Sequence, residues 1–170
     1  MRVVADLHIH SKYSRATSQN MDITEITRFA KIKGLTLVGT GDFTHPKWFS
    51  ELSEELTEVA GSSLYGSAKH PESPIRYMLT AEVCTIFTVD EKSKKIHHVL
   101  FTPSLETATQ INDRLKRYGD LSVDGRPFLD MTASQLVEEV MGVSDENEWF
   151  LLMFGLHGSA FLAPSAALTQ

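Results

Sequence analysis

At 170 residues, with 42% hydrophobic and 22% charged residues, the chain has the size and composition of one globular domain, not of a disordered or collagen-like protein. Its formal net charge of −6 excludes a broad basic surface that would attract nucleic acid non-specifically, although metal ions in a histidine-rich pocket can still hold a phosphate. Its single cysteine, Cys84, excludes an internal disulfide. The sequence shows no signal peptide and no membrane-spanning apolar run, so we expect a cytoplasmic protein without a membrane partner.

Strand and helix patterns alternate along the chain, and Gly, Pro and capping residues separate them. The first half is predicted to form a strand at 2–10, a helix that begins with a capping box at Asp22 and Glu25 and ends at Gly34, a strand at 35–38, and a helix from Pro46 with apolar spacing as far as Val59. A loop at 61–74 follows, and then a hairpin of strands at 75–87 and 96–101. The last predicted elements are a helix capped by Ser104, a helix capped by Thr132 with Gln135, and a strand at 149–154. This order predicts a parallel α/β fold with one inserted hairpin.

The first apolar run ends in Asp6-Leu7-His8-Ile9-His10. In a strand, the alternation of side chains places His8 and His10 side by side on one face, which is a suitable geometry for chelating a metal. Asp6 could accept a ring N–H and set the tautomer of a neighbouring imidazole. Most histidines are solvated or satisfied in a core, so the pair needs support from the rest of the chain.

Further metal-binding side chains lie near predicted strand ends and on the hairpin. The candidates are His8, His10, Asp42, His45, Glu82, His97 and His98. Imidazoles mixed with carboxylates suit zinc or manganese better than calcium. Glu82 is informative because it interrupts an apolar strand, and a buried carboxylate needs a cation as partner. A salt bridge to Arg76 or to a lysine is the alternative.

These segments resemble the polymerase and histidinol phosphatase (PHP) superfamily. The resemblance lies in Asp6-Leu7-His8-Ile9-His10-Ser11, the loop around Asp42, Thr80-Ala81-Glu82 and Ile96-His97-His98-Val99-Leu100. Several further stretches are similar to the endonuclease Q branch. They are 10–18, Gly39-Thr40-Gly41-Asp42-Phe43-Thr44-His45-Pro46-Lys47-Trp48, 101–106, 119–121 and Asp124-Gly125-Arg126-Pro127.

The resemblance implies a distorted, TIM-like (β/α)7 barrel that carries up to three divalent ions (Zn²⁺, Mn²⁺ or Mg²⁺) at its mouth. It implies a hydrolase of phosphate esters, in this branch a DNA repair endonuclease that cuts 5′ to deaminated bases such as uracil and hypoxanthine. Matched residue by residue, it implies the metal ligands His8, His10, Asp42, Glu82 and His97. Phe43 replaces the usual histidine after the aspartate, so His45 or Asp42 itself must serve there as a catalytic residue, and Asp42 is favoured.

Between the adjacent histidines, the resemblance implies His97 as the ligand, because the family pattern is one apolar residue, then the ligand, then a short apolar run. Alternation along a strand then puts His98 on the opposite face. Lys12, Tyr13 and Arg15 directly follow the first two histidines, so we expect them to bind the substrate phosphate.

The resemblance weakens near the end of the chain. The family needs a later histidine, for which His157 could stand in, and a closing Asp-x-His pair that the sequence lacks. We therefore expect residues 1–157 to be the N-terminal portion of the barrel domain and 158–170 to be a divergent tail, from a truncated gene or a shifted reading frame. A small-molecule phosphatase and an inactive metal-binding remnant are the alternatives, and the oligomeric state stays open.

Overall fold

The computed structural model describes residues 2–143 and the backbone of 151–156 and 159–163. In this part of the chain the helices are α1 (Ile23–Lys33), α2 (Pro46–Glu55), α3 (Leu105–Leu115) and α4 (Ala133–Met141). The strands are β1 (Ala5–Asp6), β2 (Leu37–Gly39), β3 (Leu56–Glu58), β4 (Tyr65–Ser67), β5 (Arg76–Val89), β6 (Lys92–Thr102), β7 (Phe128–Asp130), β8 (Leu151–Leu156) and β9 (Ser159–Ala163). None of these helices is long and apolar enough to cross a membrane.

The described strands form one mixed sheet that does not close into a barrel. Its main path runs β1-β2-β5-β6-β8-β9, with β4 and β7 paired to β5 and β3 paired to β4. The pairs β1–β2, β2–β5 and β5–β7 are parallel, whereas β5–β6, β6–β8 and β8–β9 are antiparallel. The predicted α/β class is therefore confirmed, but with more antiparallel pairing than a single inserted hairpin provides.

Local capping explains where the helices begin. The side chains of Asp22, Ser104 and Thr132 each accept a backbone N–H three residues further on, which satisfies a donor that the first turn leaves free. These three predicted starts are confirmed. Only the Asp22 half of the predicted capping box is present, because the Glu25 carboxylate accepts from Arg28.

Several predicted boundaries are wrong, among them the start of the second hairpin strand, which is Lys92 and not residue 96. The first strand is only Ala5–Asp6, because the chain then leaves the ladder and lies against Gly39 at the end of β2 and against Gly41. Helix α2 ends at Glu55, since Leu56 is extended and pairs with Ser67. The predicted loop at 61–74 contains β4, which folds back on β3 after a turn at Gly61 with a φ of 74°.

The loop between β2 and α2 is anchored inside the core. Trp48 is fully buried, and its indole N–H donates to the carbonyl of Gly41 at 2.9 Å. The backbone N–H of Gly41 donates to the hydroxyl of Thr80 on β5, also at 2.9 Å. Buried donors with good partners hold a backbone in one position, so Asp42, the next residue, has a defined place at the carboxyl end of β2.

Candidate metal centre

His8, His10 and Glu82 converge on one point. Each offers a ligand atom, and these atoms lie within 4.8 Å of one another. Oε2 of Glu82 is 2.7 Å from Nε2 of His8 and 3.1 Å from Nε2 of His10. Two imidazole nitrogens and a carboxylate oxygen suit Zn²⁺ or Mn²⁺, so these side chains fit the divalent ion that the sequence predicts.

His97 reaches the same carboxylate from the neighbouring strand. In the β5–β6 hairpin Glu82 pairs with Val99, so His97 is its diagonal neighbour. Nδ1 of His97 lies 2.5 Å from Oε1 of Glu82, and the side chain of His97 is 52% exposed. Glu82 thus lies between the two N-terminal histidines and His97. Arg76, the other partner considered for this carboxylate, donates to the backbone carbonyls of Ser73 and Ile75.

His98 faces the opposite side of β6 from His97, as strand alternation requires. Its ring is fully buried, with Nε2 2.9 Å from the hydroxyl of Thr85. Burial, with a smaller contribution from His97, lowers the pKa of His98 to about 4. His98 is therefore a neutral core residue, and the preference for His97 agrees with this geometry.

Asp42 contacts His10 on the side that faces away from Glu82. It is fully buried, with a φ of 51°. Its Oδ2 accepts the backbone N–H of Ser11 at 2.6 Å, the Ser11 hydroxyl at 2.7 Å and the Ser14 hydroxyl at 2.9 Å. Its Oδ1 is 3.0 Å from Nδ1 of His10. Asp42 therefore joins the site through His10 and lies outside the His8–His10–Glu82 cluster.

His45 is engaged elsewhere in the fold. It is the N-cap of α2, where Nδ1 accepts the Trp48 N–H at 3.5 Å, and its Nε2 donates to the carbonyl of Ser122 at 3.2 Å. Its ring stacks on Tyr13, with centroids 4.5 Å apart and planes 16° apart. Burial lowers the pKa of His45. The structure does not bring His45 into the cluster of possible ligands.

Lys12 and Tyr13 share one acceptor that sequence reasoning missed. Glu51 on α2 lies 2.8 Å from Nζ of Lys12 and accepts the Tyr13 hydroxyl at 2.6 Å. Arg15, in contrast, has a side chain that is 79% exposed and lies 3.8 Å from Asp124. Nothing in the helical pattern of α2 marks Glu51, because its partners are distant in the chain.

The charges of the site are coupled. Burial alone would raise the pKa of Glu82, but its hydrogen bonds to His10, His8 and His97 outweigh burial and hold this pKa far below its usual range. Burial alone would lower the pKa of His10, but Asp42 and Glu82 outweigh it and raise the pKa to about 9. Without a metal, the pocket therefore holds ionised Glu82 and protonated His10. A divalent cation can take the place of such a proton, because a ligand histidine must be deprotonated.

A cleft of about 730 Å³ is lined by residues of α2, of α3 and of the chain that follows α3, and its lining includes none of the candidate ligands. Its wall includes Thr44, which is two residues beyond Asp42, together with Phe49, Asn112 and Ser122. Asn112 also donates to the carbonyl of Phe43 at 3.0 Å. The volume lies within the range of small-molecule binding clefts.

The predicted stand-in ligand His157 lies outside the described residues, as does the proposed boundary beside it.

The chain is similar to a solved endonuclease and to one curated protein. It matches the crystal structure of the lesion-specific endonuclease PfuEndoQ from Pyrococcus furiosus with a TM-score of 0.71 and 31% identity, over 88% of this chain and 33% of that one. It also matches the crystal structure of an endonuclease Q complex, in which a 27-mer duplex substrate carries an abasic lesion at the active site. For this match the TM-score is 0.70 and the identity 31%, over 87% of this chain and 33% of that one.

The curated relative is the uncharacterized protein MJ0043 of Methanocaldococcus jannaschii, with 30% identity over 164 residues, which is 96% of this chain and 17% of that protein. No protein-family model matches the chain. The chain thus spans about a third of the endonuclease Q structures and a smaller share of MJ0043.

Proposed function

We propose that this chain is the metal-binding part of a DNA endonuclease of the endonuclease Q type, which hydrolyses the phosphodiester 5′ to deaminated bases such as uracil and hypoxanthine. The observation that carries the proposal is the convergence of His8, His10 and His97 on Glu82. This convergence occurs in a fold that resembles an endonuclease at 31% identity. On this proposal, residues 1–157 are the N-terminal portion of a distorted, TIM-like (β/α)7 PHP barrel, and the open sheet is the part described.

The residues of the site divide into roles by their geometry. His8, His10, Glu82 and His97 would hold divalent ions, of which Zn²⁺, Mn²⁺ and Mg²⁺ are the candidates. When bound, such an ion polarises a phosphoryl oxygen and lowers the pKa of a bound water towards neutrality. Lys12, on the loop directly after His10, would supply a positive charge to the phosphate next to the scissile bond.

The exposure of Arg15 favours a polymeric substrate over a small phosphate ester. Its side chain extends from the loop that carries Lys12 and Ser14 and is 79% exposed. A guanidinium in this position suits a phosphate outside the pocket. A DNA backbone supplies such phosphates on both sides of the cut, whereas an aryl phosphate has none.

The test is an incision assay on oligonucleotides that carry one uracil or one hypoxanthine, each beside an undamaged oligonucleotide, with Mn²⁺, Mg²⁺ or Zn²⁺. We expect the wild type to cut 5′ to the lesion and Glu82→Gln not to cut. Glu54→Gln is the matched control, because Glu54 is exposed on α2 and takes no part in the site. Bound metal should be measured in the same samples.

The other outcomes separate the alternatives. Hydrolysis of an aryl phosphate without incision of DNA would contradict the endonuclease and support a small-molecule phosphatase. Bound metal without hydrolysis of either substrate would support an inactive metal-binding protein. A wild type that binds no divalent metal would contradict the proposed centre itself.

A further inference from the structure

We propose that Asp42 is a positioning residue for His10 and not a metal ligand, and that the hydroxyls of Ser11 and Ser14 hold it in that role. This inference rests on the proposed function, because it concerns the same metal centre. It differs from the ligand role that family resemblance implies for Asp42. The two roles make different predictions about how the site responds to substitution.

The Asp42 carboxylate accepts hydrogen bonds on both oxygens, and its Oδ2 is saturated with donors. Two carboxylate oxygens provide about four lone-pair sites. Oδ2 accepts the Ser11 N–H, the Ser11 hydroxyl and the Ser14 hydroxyl, and Oδ1 lies 3.0 Å from Nδ1 of His10. Three donors exceed the two lone-pair sites of Oδ2, and His10 takes one of the two sites of Oδ1, in a carboxylate that is fully buried. A cation at Oδ2 would have to displace a donor, and a cation at Oδ1 would have to bind beside the N–H of His10.

The two ring nitrogens of His10 face different carboxylates, Nδ1 towards Asp42 and Nε2 towards Glu82. Because an ionised carboxylate only accepts hydrogen bonds, Nδ1 of His10 must carry the proton that it shares with Asp42. Nε2 is then the nitrogen that faces the pocket, where it lies 3.1 Å from Oε2 of Glu82. Histidines that bind metals generally donate their other ring N–H in this way, which fixes both tautomer and ring orientation. Asp42 therefore presents Nε2 of His10 to the cluster.

The backbone at Gly125 packs directly against the Asp42 carboxylate and the Ser14 hydroxyl. A Cβ atom added at Gly125 would overlap both Oδ2 of Asp42 and Oγ of Ser14. The backbone N–H of Gly125 also donates to the carbonyl of Tyr13 at 3.2 Å. The turn at 124–127 thus closes directly over the Asp42–Ser14 hydrogen bond. A methyl group at this turn would disturb Asp42 and Ser14 without contacting His8, His10 or Glu82.

The experiment is a double-mutant cycle on the affinity for Zn²⁺, measured by competition with a chromophoric chelator. The variants are Asp42→Asn, His10→Gln and the double variant, and thermal melting of each metal-free protein checks its fold. We expect Asp42→Asn to weaken binding about 10- to 100-fold, the usual effect of removing such a partner. In the His10→Gln background the same change should have no further effect, because Asp42 acts through His10.

Additive effects would overturn the proposal, since a metal ligand would lose affinity in either background. The affinity of the double variant Ser11→Ala/Ser14→Ala for Zn²⁺ tests the role of Asp42 a second time, even if Asp42→Asn does not fold. Removal of two donors should loosen a positioning carboxylate and weaken Zn²⁺ binding, with Gly125→Ala acting in the same direction. If Asp42 were a ligand, freed oxygens would leave binding unchanged or tighter, and that result would also overturn the proposal.

The control is Ser18→Ala, in the same loop, whose hydroxyl accepts the exposed backbone N–H of Asn20 at 3.2 Å. It should bind Zn²⁺ like the wild type. A wild type that binds Zn²⁺ but does not cut DNA would contradict the proposed function alone, and the cycle would still decide the role of Asp42. A wild type that binds no Zn²⁺ would overturn this inference together with the metal centre.

Discussion

Glu82 and His97 meet across the β5–β6 hairpin, where Oε1 of the carboxylate lies 2.5 Å from Nδ1 of the imidazole. The other oxygen of Glu82 contacts His8 and His10, which come from the first ten residues of the chain. One buried carboxylate therefore connects the N-terminal segment with the hairpin. Its removal should affect both metal binding and the stability of the metal-free protein.

We expect Glu82→Gln to lower the free energy of unfolding of the metal-free protein by about 2 kcal/mol, because hydrogen bonds to a charged group contribute about 1.5–3 kcal/mol. Urea denaturation near pH 6 would measure this loss, with Glu54→Gln as the control. The low end of the range applies, since His8 and His97 are half exposed. An unfolding free energy equal to that of the wild type would show that these contacts do not stabilise the fold.

Titration of His10 makes the stability of the metal-free protein depend on pH on the alkaline side of neutrality. Its pKa in the folded protein is about 9, above the value of 6.5 for an unperturbed histidine. A raised pKa means that the folded state holds the proton more tightly. The stabilisation is therefore complete below about pH 6.5, decreases between 6.5 and 9, and is absent above 9. On the acid side, the lowered pKa of Glu82 gives a contribution that is lost as the pH falls below its unfolded value of about 4.5.

Thermal melting of the metal-free protein between pH 6 and pH 10 would test this behaviour. We expect the melting temperature of the wild type to fall across the window from 6.5 to 9. In His10→Gln this decrease should be much smaller, because the titrating group is gone. A wild-type profile that is flat across the window would contradict the pairing of His10 with Asp42 and Glu82.

Gly41→Ala should destabilise the protein more than Gly61→Ala does. Both glycines have a positive φ, 65° and 74°, which costs an alanine about 1 kcal/mol or more. An added Cβ at Gly61 meets nothing within 4 Å, whereas at Gly41 it would overlap the backbone carbonyl of Ile9. We expect a loss of about 1 kcal/mol at Gly61 and about 3 kcal/mol at Gly41. Urea denaturation would measure both.

The same pair of variants also tests how the site is positioned. Ile9 lies between His8 and His10, so displacement of its carbonyl moves both imidazoles. Gly41→Ala should therefore weaken Zn²⁺ binding, whereas Gly61→Ala should not. Equal affinities in the two variants would show that the contact at Ile9 does not control the ligands.

Lys12→Ala should weaken DNA binding to a similar extent for all sequences. On the proposed function, Lys12 contacts a phosphate, and removal of one such contact lowers the slope of log affinity against log salt by about 1. Filter binding over a range of salt concentrations would measure the slope. Lys69→Ala is the matched control, because Lys69 is exposed and pairs with Glu55 away from the metal centre. An unchanged slope would contradict a phosphate contact at Lys12.

Local chemistry determined the parts of the fold that the sequence predicted well. The caps at Asp22, Ser104 and Thr132 depend on a side chain and a backbone N–H only three residues apart. The β5–β6 hairpin likewise turns at Asp90 and Glu91, within a charged stretch where the sequence predicts a tip. Such relationships are complete within a few residues, so a sequence pattern is enough to predict them.

Tertiary structure decided which distant groups meet. Glu51 holds Lys12 and Tyr13, and Gly125 closes over Asp42, although no pattern in the chain relates these positions. The short strands β4 and β7 exist because β3 and β5 offer them backbone partners. The direction of the Asp42 carboxylate, towards His10 and the two serines, depends on where the loop after β2 meets the loop after β1. These outcomes depend on packing and hydrogen bonding between segments far apart in the chain, which local propensity does not encode.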